Sequence, residues 1–139
     1  YGPGEYYSPY RSALCVFAYC ALAGLPYKVY LGHHRTSLYI SDAVRTLAAI
    51  VGDFRPGRVY NIAGHERHDM KSVSDLILSH TGRSDNLVEY VDHEPMTTRD
   101  KKVDANRAVK ELGHAPVVDL KEGLARTVEW MRSTYPAAS

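Results

Sequence analysis

The spacing of apolar side chains predicts alternating helices and strands along the chain. Ala13 to Ala23 is apolar on nearly all sides of a helix, and Gly24 and Pro26 end it. Strands are expected over Tyr27 to Leu31 and, buried, over Arg58 to Ala63, because both runs are rich in β-branched and aromatic residues. A helix that is apolar all round needs cover all round, which we expect from a missing domain or a second subunit.

The stretch from Gly32 to Val51 joins a cationic loop to a helix. Ser41 and Asp42 have side-chain oxygens that open a helix by accepting hydrogen bonds from its free backbone N–H groups. Apolar residues then recur at helical spacing, which predicts one apolar face packed against the rest of the protein. That face consists of Ala43, Val44, Leu47, Ala48 and Val51.

The second half of the chain continues the alternation. A helix is expected with Ser72 as its cap and Gly82 as its stop, followed by a strand over Leu87 to Val91. Another helix is expected over Asp104 to Leu112. In the first of these helices the i, i+3, i+4, i+7 spacing is kept by Val73, Leu76, Ile77 and His80, and the apolar side of the second is Ala105, Ala108, Val109 and Leu112.

The last helix begins at a capping box. Asp119 is its cap, Glu122 follows three residues later, and Pro136 closes the helix. Its core face is predicted to be Leu120, Leu124, Val128, Met131 and Tyr135. Because helices and strands alternate throughout, the fold class is α/β.

Composition narrows the function classes. The chain has 139 residues, with 17 basic and 16 acidic side chains and a net charge of +1, which argues against a nucleic-acid or membrane-surface binder. Cys15 and Cys20 would point about 140° apart on a helix, so we expect buried free thiols in a reducing, cytoplasmic compartment. The chain opens at Tyr1 without methionine, and we expect it to be a fragment of a longer polypeptide.

The chain carries no self-contained catalytic constellation. It lacks the G-x-S-x-G, G-x-x-x-x-G-K-[ST] and G-x-G-x-x-G motifs, so no catalytic residue is assigned. His65 and His68 lie three apart but without a third ligand nearby, and solvated loop histidines are commoner than metal ligands. His33 and His34 are better explained as hydrogen-bonding or positive groups beside an arginine than as a metal site. No metal is predicted.

Two arginines are candidates for binding an anion. Arg35 and Arg99 each lie in a predicted loop, and a guanidinium offers planar paired donors that match phosphate oxygens. The alternative is a surface ion pair with a neighbour such as Asp42 or Asp100. Tyr30 could stack on a nucleobase or be an ordinary core tyrosine.

Segments covering nearly the whole chain occur in the order found in one enzyme family. Residues 1–5 read YGPGE, residues 35–42 read RTSLYISD and resemble R-x-x-x-Y-V-x-D, and residues 60–64 read YNIAG, similar to Y-N-I-G-G. Residues 104–113 resemble D-x-x-K-A-x-x-x-L-G, and residues 122–130 resemble E-G-[IL]-x-x-T-[VI]-x-W. The chain thus resembles the NAD-dependent nucleotide-sugar epimerases and dehydratases, which are extended short-chain dehydrogenase/reductases.

The resemblance implies a fold and a set of site residues. It implies that residues 1–139 are the C-terminal portion of an extended Rossmann-type enzyme, a small mixed helix/strand region that binds the nucleotide sugar. By the same resemblance, Arg35 grips the diphosphate, Arg11 and Ser12 approach the phosphates, and Lys28 and Tyr30 contact the base. Tyr1 and Gly2 would lie at the edge of the nicotinamide pocket.

The resemblance also implies chemistry, which is a transient oxidation at the sugar C4 by NAD. NAD would be bound mainly by an N-terminal Rossmann domain upstream of Tyr1, together with the catalytic Tyr-x-x-x-Lys, so this chain alone should be inactive. The implied partners are a nucleotide diphosphate sugar, that Rossmann domain and a second subunit in a homodimer. The alternative is a non-catalytic binding or assembly module without a cofactor half.

The sequence departs from the family pattern at a few positions. Ser37 occupies a place often held by an aromatic residue, and Met70 falls where some dehydratases have a polar residue. Glu94 stands where many members have a second phosphate-binding arginine, a role that we expect Arg99 to take. These changes leave the nucleotide, the sugar and the choice between epimerase and dehydratase open.

Overall fold

The helices and strands follow one another along the chain in a mixed α/β arrangement. The computed structural model describes residues 1–92 and 96–135, so the expectations for Glu94 and Pro136 lie outside the described residues. The elements are α1 (Ala13–Ala23), β1 (Tyr27–Tyr30), β2 (His34–Arg35), α2 (Ile40–Gly52), β3 (His68–Asp69), α3 (Met70–Thr81), β4 (Val88–Val91), α4 (Asn106–Leu112) and α5 (Leu120–Thr134), with a 3-10 turn at Asp85–Leu87 before β4.

The hydrophobic core lies where three helices meet a small parallel sheet. Helices α1, α3 and α5 pack against one another, and α1 and α3 also contact β1. β1 pairs in parallel with β4, in a register from Tyr27 opposite Val88 to Tyr30 opposite Val91. The core cluster draws its buried residues from α1, β1, α3 and α5: Leu14, Cys15, Phe17, Ala18, Cys20, Ala21, Tyr27, Val29, Met70, Val73, Ile77, Leu78, Leu120, Leu124, Val128 and Met131.

Helix α1 has the bounds that its apolar pattern predicts. Ser12 caps it by accepting a hydrogen bond from the Cys15 N–H, and Gly24 ends it in the left-handed conformation, with φ of 68°. The expectation of a missing domain or second subunit as its cover is wrong, because α3 and α5 of the same chain bury most of its surface. Cys15 and Cys20 are free and buried, as predicted.

Helices α3 and α5 largely confirm the pattern but differ at their caps. The cap of α3 is Asp69, which accepts from the Ser72 N–H at 3.2 Å, so the assignment of Ser72 as the cap is wrong. Asp119 caps α5 as predicted and accepts from the Glu122 N–H at 2.8 Å. The carboxylate of Glu122 binds Arg126 one turn later and does not complete the capping box.

Helix α2 forms near its predicted place but packs with the opposite face. It begins at Ile40 after Tyr39, which makes no side-chain cap, so Ser41 and Asp42 do not open it. Its buried residues are the polar Asp42 and Thr46. The predicted apolar face is instead largely exposed, with Val44 at 53%, Leu47 at 51% and Val51 at 82% exposure.

The predicted buried strand over Arg58 to Ala63 does not form. No strand is assigned between α2 and β3, and Val59 is 74% exposed. A β-branched run becomes a strand only where a neighbouring strand can pair with it, and among residues 1–92 and 96–135 none lies beside this segment. Side chains hold it instead, as the Tyr60 hydroxyl donates to Glu111 at 2.8 Å and Arg107 donates to the Val59 carbonyl at 3.0 Å.

A buried polar clamp, formed by Asp42, Thr46 and His114, joins α2 to the segment after α4. The His114 ring places Nδ1 2.7 Å from the Thr46 hydroxyl and Nε2 2.8 Å from the Ala63 carbonyl oxygen. Asp42 is 2% exposed, and its carboxylate accepts from the backbone N–H groups of Val117 and Val118 and from Arg45. Hydrogen bonds therefore hold α2 against its neighbours, as apolar contacts hold α1.

Helix α4 is shorter than predicted, and its apolar face makes few buried contacts. It starts at Asn106, whose N–H donates to the Asp104 carboxylate at 2.8 Å. Of its predicted apolar positions only Ala108 is fully buried, and Val109 is 50% exposed. The polar clamp compensates for this thin apolar contact.

We expect Asp42→Ala to destabilise the fold. The substitution leaves two backbone N–H groups without their acceptor, which should lower the free energy of unfolding by about 2 kcal/mol or more. Urea unfolding followed by circular dichroism measures the change. Asp53→Ala is the control, because the exposed Asp53 carboxylate pairs only with Arg55 among the described residues, and its removal should leave the midpoint nearly unchanged. Equal effects of the two substitutions would contradict the role given to Asp42.

We also expect Gly64→Ala to be destabilising because another segment lies directly against Gly64. A Cβ atom at Gly64 would lie 2.1 Å from the backbone carbonyl oxygen of Ser37, which cannot rotate away. Overpacking of this kind costs about 1–3 kcal/mol. Gly52→Ala is the matched control, because a Cβ there meets nothing within 4 Å. Thermal unfolding of both variants tests the prediction, which fails if Gly64→Ala is as stable as Gly52→Ala.

Candidate functional site

The candidate site lies where β1 ends and the chain turns into β2. β2 pairs antiparallel with β3, placing Arg35 opposite His68. On its other side, the His34 N–H donates to the Arg99 carbonyl at 2.7 Å, and the Lys101 N–H donates to the His34 carbonyl at 3.2 Å. The structure thus brings together Arg35 and Arg99, which are 64 positions apart in the sequence. Arg35 lies in the short strand β2 and not in the predicted loop.

The Arg35 guanidinium is held by acceptors of this chain. Its Nη1 donates to the His34 carbonyl at 2.8 Å and to the Arg99 carbonyl at 3.0 Å. Its Nη2 lies 3.5 Å from Nδ1 of the buried His33. A guanidinium carries five N–H donors. The two carbonyls and the histidine take three of them, so these acceptors leave the Nε–H and one Nη2–H unused. This edge can bind two oxygens of one anion.

The two carboxylates considered as ion-pair partners, Asp42 and Asp100, are bound by other arginines. Asp42, considered as a partner of Arg35, is buried in the polar clamp and binds Arg45. Asp100, considered as a partner of Arg99, receives a two-point hydrogen bond from Arg67, with both distances 2.9 Å. That hydrogen bond holds the pKa of Asp100 below its usual value.

The backbone around the site joins it to α3 and to the parallel sheet. The His33 carbonyl accepts at 2.9 Å from the N–H of Met70, the first residue of α3, whose N-terminus is capped by the Asp69 carboxylate. The Leu31 N–H donates to the Val91 carbonyl at 2.8 Å, which brings together the carboxyl ends of β1 and β4. In parallel sheets ligands bind at that edge.

Of the two predicted base-contacting residues, one lies close to Arg35. Tyr30 ends β1 half-buried, and its ring centre is 5.8 Å from that of His33. Lys28 is exposed two residues earlier on the same side of the strand and pairs with Glu89 at 3.5 Å.

Arg11 and Ser12 directly precede α1, and Ser12 caps that helix. The Ser12 N–H donates to one oxygen of the Glu5 carboxylate at 3.1 Å, and its hydroxyl donates to the other at 3.0 Å. Arg11 is exposed beside it. Among the residues that the structure describes, no hydrogen bond joins Arg11 or Ser12 to Arg35. The negative charge of Glu5 also opposes a phosphate directly at Ser12.

Tyr1 and Gly2 pack tightly against the segment that follows the candidate site. The Tyr1 backbone bonds the Leu38 carbonyl and the Ile40 N–H, and its ring meets that of Tyr39 edge-on at 5.5 Å. Burial raises the pKa of the Tyr1 phenol above its usual value. A Cβ at Gly2 would lie 2.5 Å from Ile40, and its φ of 142° also favours glycine, so local structure accounts for this residue.

Beside Tyr1 lies a narrow cleft that carries two histidines and a carboxylate. Its volume of about 10 Å³ holds no more than one water molecule. Glu66 lies 3.6 Å from the His65 Nε2 and 3.7 Å from the His68 Nε2, and burial lowers the pKa of His68. The described residues contain no group of three side chains arranged to hold a metal ion.

The departures from the family pattern have structural counterparts. The backbone carbonyl of Ser37 packs directly against Gly64. Met70 is the first residue of α3 and is buried. His33, which the sequence suggests only as a neighbour of Arg35, is 1% exposed, and its Nδ1 lies 3.5 Å from Nη2 of Arg35. The sequence gives no signal for the role of His114, because a single histidine between Gly113 and Ala115 is part of no periodic pattern. No described helix has the length and apolar character needed to cross a bilayer.

Comparisons with known proteins place the chain in a family. No family model matches it. The dTDP-glucose 4,6-dehydratase of Streptomyces griseus is 42% identical over 96 residues, which are 69% of this chain and 29% of that protein. The dTDP-glucose 4,6-dehydratase of Xanthomonas campestris is 31% identical over 141 residues, covering 94% of this chain and 39% of that protein.

Solved structures agree in fold. The UDP-glucose 4-epimerase of Thermotoga maritima with UDP-glucose superimposes with a TM-score of 0.83 at 27% identity, over 96% of this chain and 43% of that one. This chain spans less than half the length of each of these relatives. It belongs to the nucleotide-sugar epimerase and dehydratase family of extended short-chain dehydrogenase/reductases, and it corresponds to their C-terminal portion.

Proposed function

We propose that this chain binds the nucleotide sugar of an NAD-dependent 4-epimerase or 4,6-dehydratase. The observation that carries the proposal is the Arg35 guanidinium, oriented by the His34 and Arg99 carbonyls so that one two-donor edge stays available. Two phosphate oxygens of a diphosphate match that edge in spacing and charge.

The remaining site residues follow as parts of this proposal. Arg99 comes to the site through its backbone and would contribute the second positive charge in place of position 94. Tyr30 would face the nucleobase, with Lys28 farther along the strand. Arg11 and Ser12 would approach the phosphates from α1, against the charge of Glu5. The curated relatives are dTDP-glucose 4,6-dehydratases, which favours a dTDP-sugar and the dehydratase reaction.

The proposal gives this chain binding and orientation, and assigns the chemical step elsewhere. NAD, when bound, would supply transient oxidation at the sugar C4, and it would be held by a Rossmann domain upstream of Tyr1. Within this chain only Tyr1 and Gly2 are candidates for the edge of the nicotinamide pocket, and their close packing against Ile40 leaves them little freedom. No residue here is assigned to catalysis, so the chain alone would be inactive.

An unpartnered apolar surface supports the proposed upstream domain. Val44, Leu47 and Val51 form an exposed stripe on α2, and the nearby Phe54 is 72% exposed. The strand-like residues 58–63 lie on the same part of the chain without a pairing strand among the described residues. A Rossmann domain would cover the apolar stripe on α2, and its sheet would pair with residues 58–63. In this proposal the homodimer contact lies mostly in that domain, because α1 is covered within this chain.

The compartment belongs to the same proposal. Cys15 and Cys20 are both free thiols, which fits a reducing, cytoplasmic environment. The alternative function, a non-catalytic binding or assembly module, gains no support from the comparisons, because the relatives named above are enzymes.

Nucleotide binding tests the proposal directly. We expect the intact polypeptide to bind one of UDP, dTDP, GDP and CDP in a calorimetric titration, and Arg35→Ala to weaken that binding tenfold or more. One charge-assisted contact is worth about 1.5–3 kcal/mol. Arg83→Ala is the matched control, since Arg83 also donates to a backbone carbonyl, that of Leu22, but lies by the Gly24 turn. Absence of binding to all four nucleotides would refute the proposed function.

The proposed domain contact makes a separate prediction. Val51→Asp should change the free energy of unfolding of the isolated 139-residue chain little, because the side chain is 82% exposed there. In the intact polypeptide the same change would bury a charge and should cost about 2 kcal/mol or more. Leu25→Asp, at an exposed site in the turn after α1, serves as the control. Equal small effects in both proteins would mean that no domain covers this face.

A further inference from the structure

His33 is buried to an extent unusual for a histidine in a turn. It is 1% exposed and ranks among the largest fully buried side chains of the described residues. The Tyr30 ring lies beside it, and the carbonyl of His33 is fixed by the first N–H of α3. Its ring therefore cannot turn freely, and the positions of its two nitrogens are set by the fold.

The contact between His33 and Arg35 has only one possible polarity. Nδ1 of His33 lies 3.5 Å from Nη2 of Arg35, and a guanidinium can donate but never accept. Nδ1 must therefore accept, which places the proton of the neutral ring on Nε2. A doubly protonated ring would have no lone pair for Arg35 and would bring a second positive charge against it.

Among the residues that the structure describes, three acceptors contact the Arg35 guanidinium, and they contact different parts of it. The carbonyls of His34 and Arg99 both bind Nη1 and so fix one end of the group. Rotation about that end would still swing Nε–H and Nη2–H away from the edge that we assign to the anion. The His33 Nδ1 is the contact on Nη2, and it opposes this rotation.

We propose that His33 is a positioning residue, which as the Nε2–H tautomer holds the Arg35 guanidinium in the orientation that binds the diphosphate. This inference rests on the proposed function. It predicts that His33 acts on nucleotide binding only through Arg35 and makes no contact with the ligand. It also predicts one tautomer in the protein without ligand.

The test uses two substitutions of His33 in the intact polypeptide. His33→Phe fills the space of the ring without an acceptor, and should weaken diphosphate binding about fivefold or more. His33→Asn places an amide oxygen near the position of Nδ1, and should restore most of the affinity. In an Arg35→Ala background, His33→Phe should change the affinity less than about twofold, because the group that it orients is gone.

The outcomes separate this inference from the function on which it rests. If the unsubstituted protein binds no diphosphate, both are overturned. If it binds and Arg35→Ala weakens binding, but His33→Phe costs the same in both backgrounds, the function stands and the positioning role is overturned. Calorimetry supplies the affinities, and thermal unfolding of each variant monitors the fold.

A second measurement needs no substitution. Long-range ¹⁵N–¹H correlation spectra distinguish the two histidine tautomers, and at pH 8 without ligand we expect His33 to carry its proton on Nε2. A proton on Nδ1 would overturn the inference, because Arg35 could not then donate to that atom.

Discussion

The half of the molecule that carries α2 and α4 depends on a buried polar clamp. The hydrophobic cluster takes none of its buried members from these two helices among the described residues. In place of apolar contacts, the polar clamp of Asp42, Thr46 and His114 supplies hydrogen bonds that join α2 to Ala63 and to the backbone after α4. Such bonds add little when complete but are costly to break, because a buried donor or acceptor without a partner keeps its whole desolvation penalty. The clamp therefore fixes geometry more than it adds stability.

The position of the candidate site depends on this polar clamp. His114 holds the Ala63 carbonyl, and the next residue, Gly64, lies against the Ser37 backbone, two positions after Arg35. On the other side, the Met70 N–H ties the turn to α3 and so to the apolar core. Arg35 thus stands where the polar half and the apolar half of the fold meet. A displacement of either half would move the guanidinium relative to its carbonyl partners.

The sequence predicts the apolar half well and the polar half poorly. The bounds of α1 and the core face of α5 follow from periodicity, because the surfaces that cover them lie in the same chain. The same rule mispredicts α2: periodicity identifies an apolar stripe but not whether its cover belongs to this chain. β2 and β3 have two residues each, too few for any pattern. Arg35 could be singled out from its loop, whereas the role of His33 needs the three-dimensional contact.

Under the proposed function, the way Arg35 is held would explain how a small region contributes to an enzyme without catalysing a step. A free arginine side chain gives up about 2 kcal/mol of rotamer entropy when it binds a ligand. Here the carbonyls of His34 and Arg99 have already removed that freedom during folding. In the proposed function, more of the attraction to a diphosphate would then remain to fix the attached sugar, and accurate placement of reacting groups is itself a large part of catalysis. Preorganisation of one guanidinium is thus the property that this fold supplies, and stability elsewhere serves to maintain it.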